Sequence, residues 1–216
     1  MPTIYDILPA LQMKLLKLLY KFMEADNGAI HLWEVAIFLP ACNAYLHYLN
    51  GVNDSLKNSN YISAMANLRG LIESLGAIVY DGTAKLPKEA YEKFIKTGRL
   101  PKWDEKNKKW GVLGSRESVN YAQLVVDPKI KLKRIYDDCC DLLHFSATHM
   151  SFLGGFNPQV DEGKRIVQFK IGATDDIPIK TRREMIDLCA DLTTQMGRIV
   201  NAAIQEKSQR KTPHEI

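Results

Sequence analysis

The side chains best suited to chemistry fall in two distant segments of this 216-residue chain. Arg69 and Glu73 stand four apart in NLRGLIESL, and Asp141, His144 and His149 cluster in CCDLLHFSATHM, residues 139–150. Spacing of four puts Arg69 and Glu73 on one helix face, where they suit an ion pair worth roughly 0.2–0.5 kcal/mol. They also flank a stripe of Leu68, Leu71, Ile72 and Leu75. If the two segments meet, the result is a polar cluster inside an apolar interface, which is the setting that shifts pKa values. His144 and His149 lie about 140° apart around a helix, so one metal cannot take both from that helix alone. The H-E-x-x-H arrangement that would bring two imidazoles together is absent.

Several readings of these residues stand side by side. Asp141 can orient His144 while His149 sits as a satisfied core histidine. Alternatively, His144 and His149 approach the third helix where it offers Arg69 and Glu73, and with Asp141 form a polar cluster that is a candidate site. Ser146, three residues before His149, offers a nucleophile without any oxyanion-hole motif beside it. A metal held by Glu73, Asp141 and His144 is a third arrangement.

A second group of residues suits anion binding. From Lys93 to Arg116 there are eight basic residues and two acids, an excess of six, in a chain whose formal charge is only +4. The remainder is therefore mildly acidic, and an anionic partner should meet this stretch. Lys102, Trp103, Lys106, Lys108, Lys109, Trp110 and Arg116 interleave cations with indoles. Single-stranded nucleic acid needs that combination, phosphate partners plus faces for base stacking. The competing expectation is a solvated loop whose tryptophans fold back onto the protein.

Helices must position both groups. Ile4, Ile7, Leu8, Leu11, Leu15, Leu18, Leu19 and Phe22 repeat at helical spacing and predict a helix that Asp26-Asn27-Gly28 stops. A second helix, about 32–56, contains Pro40, which should kink or split it. Asn58-Ser59-Asn60 is a turn and N-cap before a third helix, about 61–80, closed by Asp81-Gly82. A short helix follows Pro87. Residues 98–114 lack apolar periodicity and predict an exposed loop. A fourth long helix is expected from Asp127-Pro128 to about Phe152. RIVQFKI, residues 165–171, alternates as a strand and predicts a small hairpin over about 152–171. A fifth long helix, Thr181 to Lys207, has a candidate capping box at Thr181 and Glu184.

The expected fold is mainly α: an antiparallel bundle of about five long helices, as one domain over 1–207. A basic insert at about 97–118 and the hairpin decorate it, and 208–216 form a flexible tail. Apolar content of 46% and charged content of 25% suit a globular chain. Cys42, Cys139, Cys140 and Cys189 form no C-x-x-C pair and read as buried thiols in a reducing cytoplasm. No signal-peptide pattern opens the sequence, and no membrane association is expected. No P-loop or Rossmann fingerprint occurs, so no nucleotide or other cofactor is expected.

NYISAMANLRGLIESLGAIVYD, with R-x-x-x-E at Arg69 and Glu73, and YDDCCDLLHFSATHM, with Asp141, His144, Ser146 and His149, resemble uncharacterised all-helical bacterial proteins of a HEPN-like kind. The resemblance spans roughly residues 30–205. It implies a cytoplasmic helical protein that binds or cleaves RNA, as a metal-independent ribonuclease in phage defence or stress response. The HEPN signature, Arg, four to six residues, then His on one helix, does not occur. Nine residues separate Arg134 from His144, and three separate Arg210 from His214. Arg69 would therefore have to act from a different helix. The alternative is a non-catalytic interaction module, a homodimer in which an Arg–Glu–His cluster specifies packing.

Overall fold

The computed structural model describes residues 3–143, 154–155, 168–169 and 178–209. Among them are seven α-helices: α1 (Ile7–Glu24), α2 (Leu39–Lys57), α3 (Tyr61–Ala84), α4 (Lys88–Thr97), α5 (Ser115–Gln123), α6 (Leu132–Leu143) and α7 (Ile179–Ser208). Two small antiparallel strand pairs join them, β1 (Pro101–Asp104) with β2 (Lys109–Val112), and β3 (Gly154–Gly155) with β4 (Gln168–Phe169). The protein is a mainly α-helical bundle with several long helices and a small hairpin.

The central element is α3. It packs against α2, α5, α6 and α7, while α1 lies along α7. Residues all around it are buried, from Ala64 and Met65 through Leu68, Leu71, Ile72, Leu75, Ile78 and Val79. Its length and composition would suit a membrane span, but most of it is buried inside the fold, as for a core helix. Close approach requires small residues on α3. A Cβ on Gly76 would collide with the Ser118 carbonyl of α5, and one on Gly70 would lie 2.6 Å from the Tyr48 ring of α2. The main core gathers Leu8, Leu15, Leu19 and Phe22 of α1 with Tyr45, Leu49, Val52, Leu192, Met196 and Val200. A smaller core under the basic segment joins Ala36, Ile37, Tyr80, Leu86, Ala90 and Leu113.

The local signals act in recognisable ways. Asp26, Asn27 and Gly28 all take left-handed backbone angles and end α1. Asn60 caps α3, its side chain accepting from Ser63 N at 3.0 Å. Pro40 sits in the first turn of α2, and the chain just before it, Glu34–Phe38, is a π-turn in which the Leu39 N–H donates to the Glu34 carbonyl. The wider turn accommodates the proline ring and its missing donor. Three cysteines, Cys42, Cys139 and Cys189, are buried, Cys140 is half-buried, and all four are free thiols.

Four local expectations need revising. Residues 98–114 are not a loop but carry β1 and β2, paired in register from Pro101↔Val112 to Asp104↔Lys109. The two strands are only four residues each, too short for alternation to show. Asp127-Pro128 does not open a helix: the Asp127 side chain accepts from Lys129 N at 2.8 Å, making a turn. The helix starts at Leu132, whose N–H donates to Gln123 Oε1 at 2.9 Å. Thr181 does not cap the last helix, which begins two residues earlier behind Pro178. α3 runs past Asp81-Gly82 to Ala84 and ends on a left-handed Lys85. The pairing of Gly154–Gly155 with Gln168–Phe169 falls inside the hairpin expected over about 152–171. The tail beyond Gln209 lies outside the described residues.

Candidate functional site

Arg69 and Glu73 do pair: Arg69 Nε donates to Glu73 Oε1 at 2.9 Å, and both side chains are partly exposed. The third member of the cluster is Tyr136 of α6. Its hydroxyl donates to the same Glu73 oxygen at 2.6 Å, and the Arg69 guanidinium lies over its ring, 5.4 Å from the centroid. Burial pushes the Tyr136 hydroxyl up, and the bond to the Glu73 carboxylate raises it further. Burial opposes the Arg69 charge, but the hydrogen bond and the nearby charge of Glu73 outweigh it and hold that guanidinium above the usual arginine value. Ser118 of α5 donates to the Glu73 backbone carbonyl at 3.0 Å. The cluster is thus tied to three helices, α3, α5 and α6.

Beside it lies a hollow of about 450 Å³ whose lining includes Glu73, Ser115, Tyr48 and Arg99. Asp141 is exposed on α6, five residues on from Tyr136 and so on a different side of the helix. His144, Ser146 and His149 lie outside the described residues. Among the described residues no three His, Cys, Asp or Glu side chains form a metal-holding group.

On α6 the buried residues are Leu132, Tyr136, Cys139 and Leu142, and Ile135 packs half-buried against the main core. Tyr136 did not figure among the candidates in the sequence; a tyrosine on a helix facing the half-buried Arg69–Glu73 pair was the available signal.

The basic segment is ordered around an indole pair. Trp103 and Trp110 face each other across β1 and β2, with ring centroids 5.2 Å apart and the rings edge to face. Alternation along the strands puts Pro101, Trp103, Trp110 and Val112 on one face and Lys102, Asp104, Lys109 and Gly111 on the other. The cations and aromatics that interleave in sequence therefore segregate in space. Trp110 packs against the smaller core, whereas Trp103 stays 38% exposed.

The cations differ in their engagements. Lys102 forms a close ion pair with Glu117 of α5, which raises the lysine and lowers the carboxyl. Lys108 pairs with Glu105 at 2.8 Å, and Arg116 approaches Asp137 at 3.4 Å. Lys106 and Lys109 are exposed, with no ion pair among the described residues. Lys93 of α4 reaches the Trp110 carbonyl at 3.4 Å, so a cation borders the indole pair from outside the hairpin. Lys93 belongs to the basic stretch but not to the cations that interleave with the indoles in sequence, because its link to Trp110 depends on how α4 lies against β2.

No known protein family, curated protein or solved structure matches this chain.

Proposed function

We propose that the protein binds single-stranded RNA through the β1–β2 hairpin and the adjoining end of α4, as a HEPN-like helical protein of phage defence or stress response. The observation that carries this is the exposed Trp103, edge to face with Trp110, whose backbone carbonyl accepts from Lys93. A base stacks on the open Trp103 face, and base–aromatic stacking contributes roughly 1–3 kcal/mol. Phosphates meet Lys93, Lys106, Lys108 and Lys109. The Lys108–Glu105 pair is highly exposed, so giving it up for a phosphate costs little.

Metal-independent cleavage is the catalytic extension of this proposal. His144 and His149 would exchange protons with the attacking 2′-hydroxyl and the leaving group, and Arg69 would have to leave Glu73 for the phosphate. The second reading is a non-catalytic interaction module that forms a homodimer. It is favoured by the way Arg69, Glu73 and Tyr136 satisfy one another.

Fluorescence anisotropy with a labelled oligouridylate separates them, with a denaturing gel run on the same samples. RNA binding by the hairpin predicts a saturable rise that Trp103→Ala weakens by about tenfold, while Trp33→Phe, in the main core, leaves it unchanged. Cleavage predicts shorter products that disappear in His144→Ala and His149→Ala. A purified protein that neither binds nor cuts RNA leaves the interaction module standing.

A further inference from the structure

A second hollow lies at the end of α3, where the π-turn, α4 and α7 meet. Its volume is about 470 Å³, and Trp33, Phe38, Ile78 and Ile199 form its apolar walls. That size lies within the range of small-molecule sites. One polar side chain is set deep in this apolar lining: Asp81, only 6% exposed. Tyr91 of α4 donates to Asp81 Oδ1 at 2.8 Å. The other oxygen, Oδ2, has no hydrogen-bond partner among the described residues, yet it is not sealed from solvent. Lys85 and Glu206, exposed at the rim, carry opposite charges, so Asp81 decides the sign of the interior.

We propose that this hollow binds a small primary amine with an apolar or aromatic tail, its ammonium on Asp81 Oδ2 and its tail against Trp33, Phe38 and Ile199. A carboxylate held in apolar surroundings with half its hydrogen-bonding capacity open is short of a charged donor. An ammonium supplies one, and the Trp33 ring adds a face that favours a cation. Burial raises the Asp81 carboxyl to about 6, against the lowering effect of the bond from Tyr91. An anion would be repelled. A metal ion would need further carboxylates or imidazoles that do not gather here among the described residues. A neutral tail alone would leave Oδ2 unpaired.

Isothermal calorimetry at neutral pH with 4-phenylbutylamine and its uncharged counterpart, 4-phenylbutanol, tests this. The amine is expected to bind at least about tenfold more tightly than the alcohol, as a charge-assisted hydrogen bond implies. Asp81→Asn keeps an acceptor for Tyr91 and should remove that preference while leaving the alcohol unchanged. Ala202→Phe, an exposed helix position on the hollow, should weaken both ligands by filling the space. The proposal is overturned if the amine does not bind, if the two ligands bind alike, or if Asp81→Asn binds the amine as well as the unaltered protein does.

Discussion

Asp81 shows how burial alone changes a residue's thermodynamics. Its carboxyl titrates near 6 in the fold and near 3.8 when free of it. Between those values the folded state holds a proton that the unfolded chain has lost, so this group's contribution to stability falls as pH rises through that window. Ionised Asp81 is therefore a standing cost at neutral pH, and Asp81→Asn removes it. Denaturant melts of the two proteins should nearly coincide near pH 4. By pH 7 the variant should be more stable by about 2–3 kcal/mol, two pKa units of differential protonation. A stability difference that does not change with pH contradicts this assignment. Tyr136 shows the opposite use of burial: its hydroxyl is kept protonated and spends its proton on Glu73.

At the scale of elements, the position of α5 against α3 governs the Arg69 cluster, because Ser118 bonds the Glu73 carbonyl where Gly76 lets the two backbones meet. Gly76→Ala would gain about 1 kcal/mol of helix propensity. It would also force a methyl into the Ser118 carbonyl, and overpacking of this kind costs roughly 1–3 kcal/mol. The net expectation is a destabilised protein with a lowered Tm; an unchanged or raised Tm would show that α5 yields freely. The same elements explain what the sequence made legible. Helix periodicity is local and repeats over several turns, so α1, α2, α3 and α7 could be read from Leu8, Leu49, Leu68 and Leu192 and their neighbours. Caps made by Asn60 and by the Asp26–Gly28 turn were equally plain. β1 and β2 were not legible: in four-residue strands the pattern has no length, and Trp103 meets Trp110 only once the pairing register is known. Arg69 with Glu73 was legible because helix geometry alone joins them. Tyr136, 63 residues beyond Glu73, and Tyr91, which reaches Asp81 from another helix, join only through tertiary packing.

Across the whole molecule, one buried ion pair ties the beginning of the fold to its end. Lys207, in the last turn of α7, donates to Glu34 at 2.9 Å and lies over the Phe22 ring; the two charged side chains are 1% and 0% exposed. Truncating one partner leaves the other's charge buried, so Lys207→Met should cost about 3–5 kcal/mol, measurable by urea unfolding. A loss under 1 kcal/mol would mean that Glu34 finds another partner. The distribution of surface charge is the other molecule-wide feature: the excess of positive charge is confined to the stretch from Lys93 to Arg116, in a chain that is mildly acidic elsewhere. RNA bound by that stretch, as proposed, would release counterions. The most direct measurement is the affinity for labelled oligouridylate across a salt series, for the unaltered protein and for the combined variant Lys106→Ala, Lys108→Ala, Lys109→Ala. Binding through the hairpin predicts a plot of log affinity against log salt whose negative slope is shallower by about 2 in the variant, at roughly 0.7 per lost phosphate contact. The absence of binding at low salt, or identical slopes for the two proteins, would contradict it.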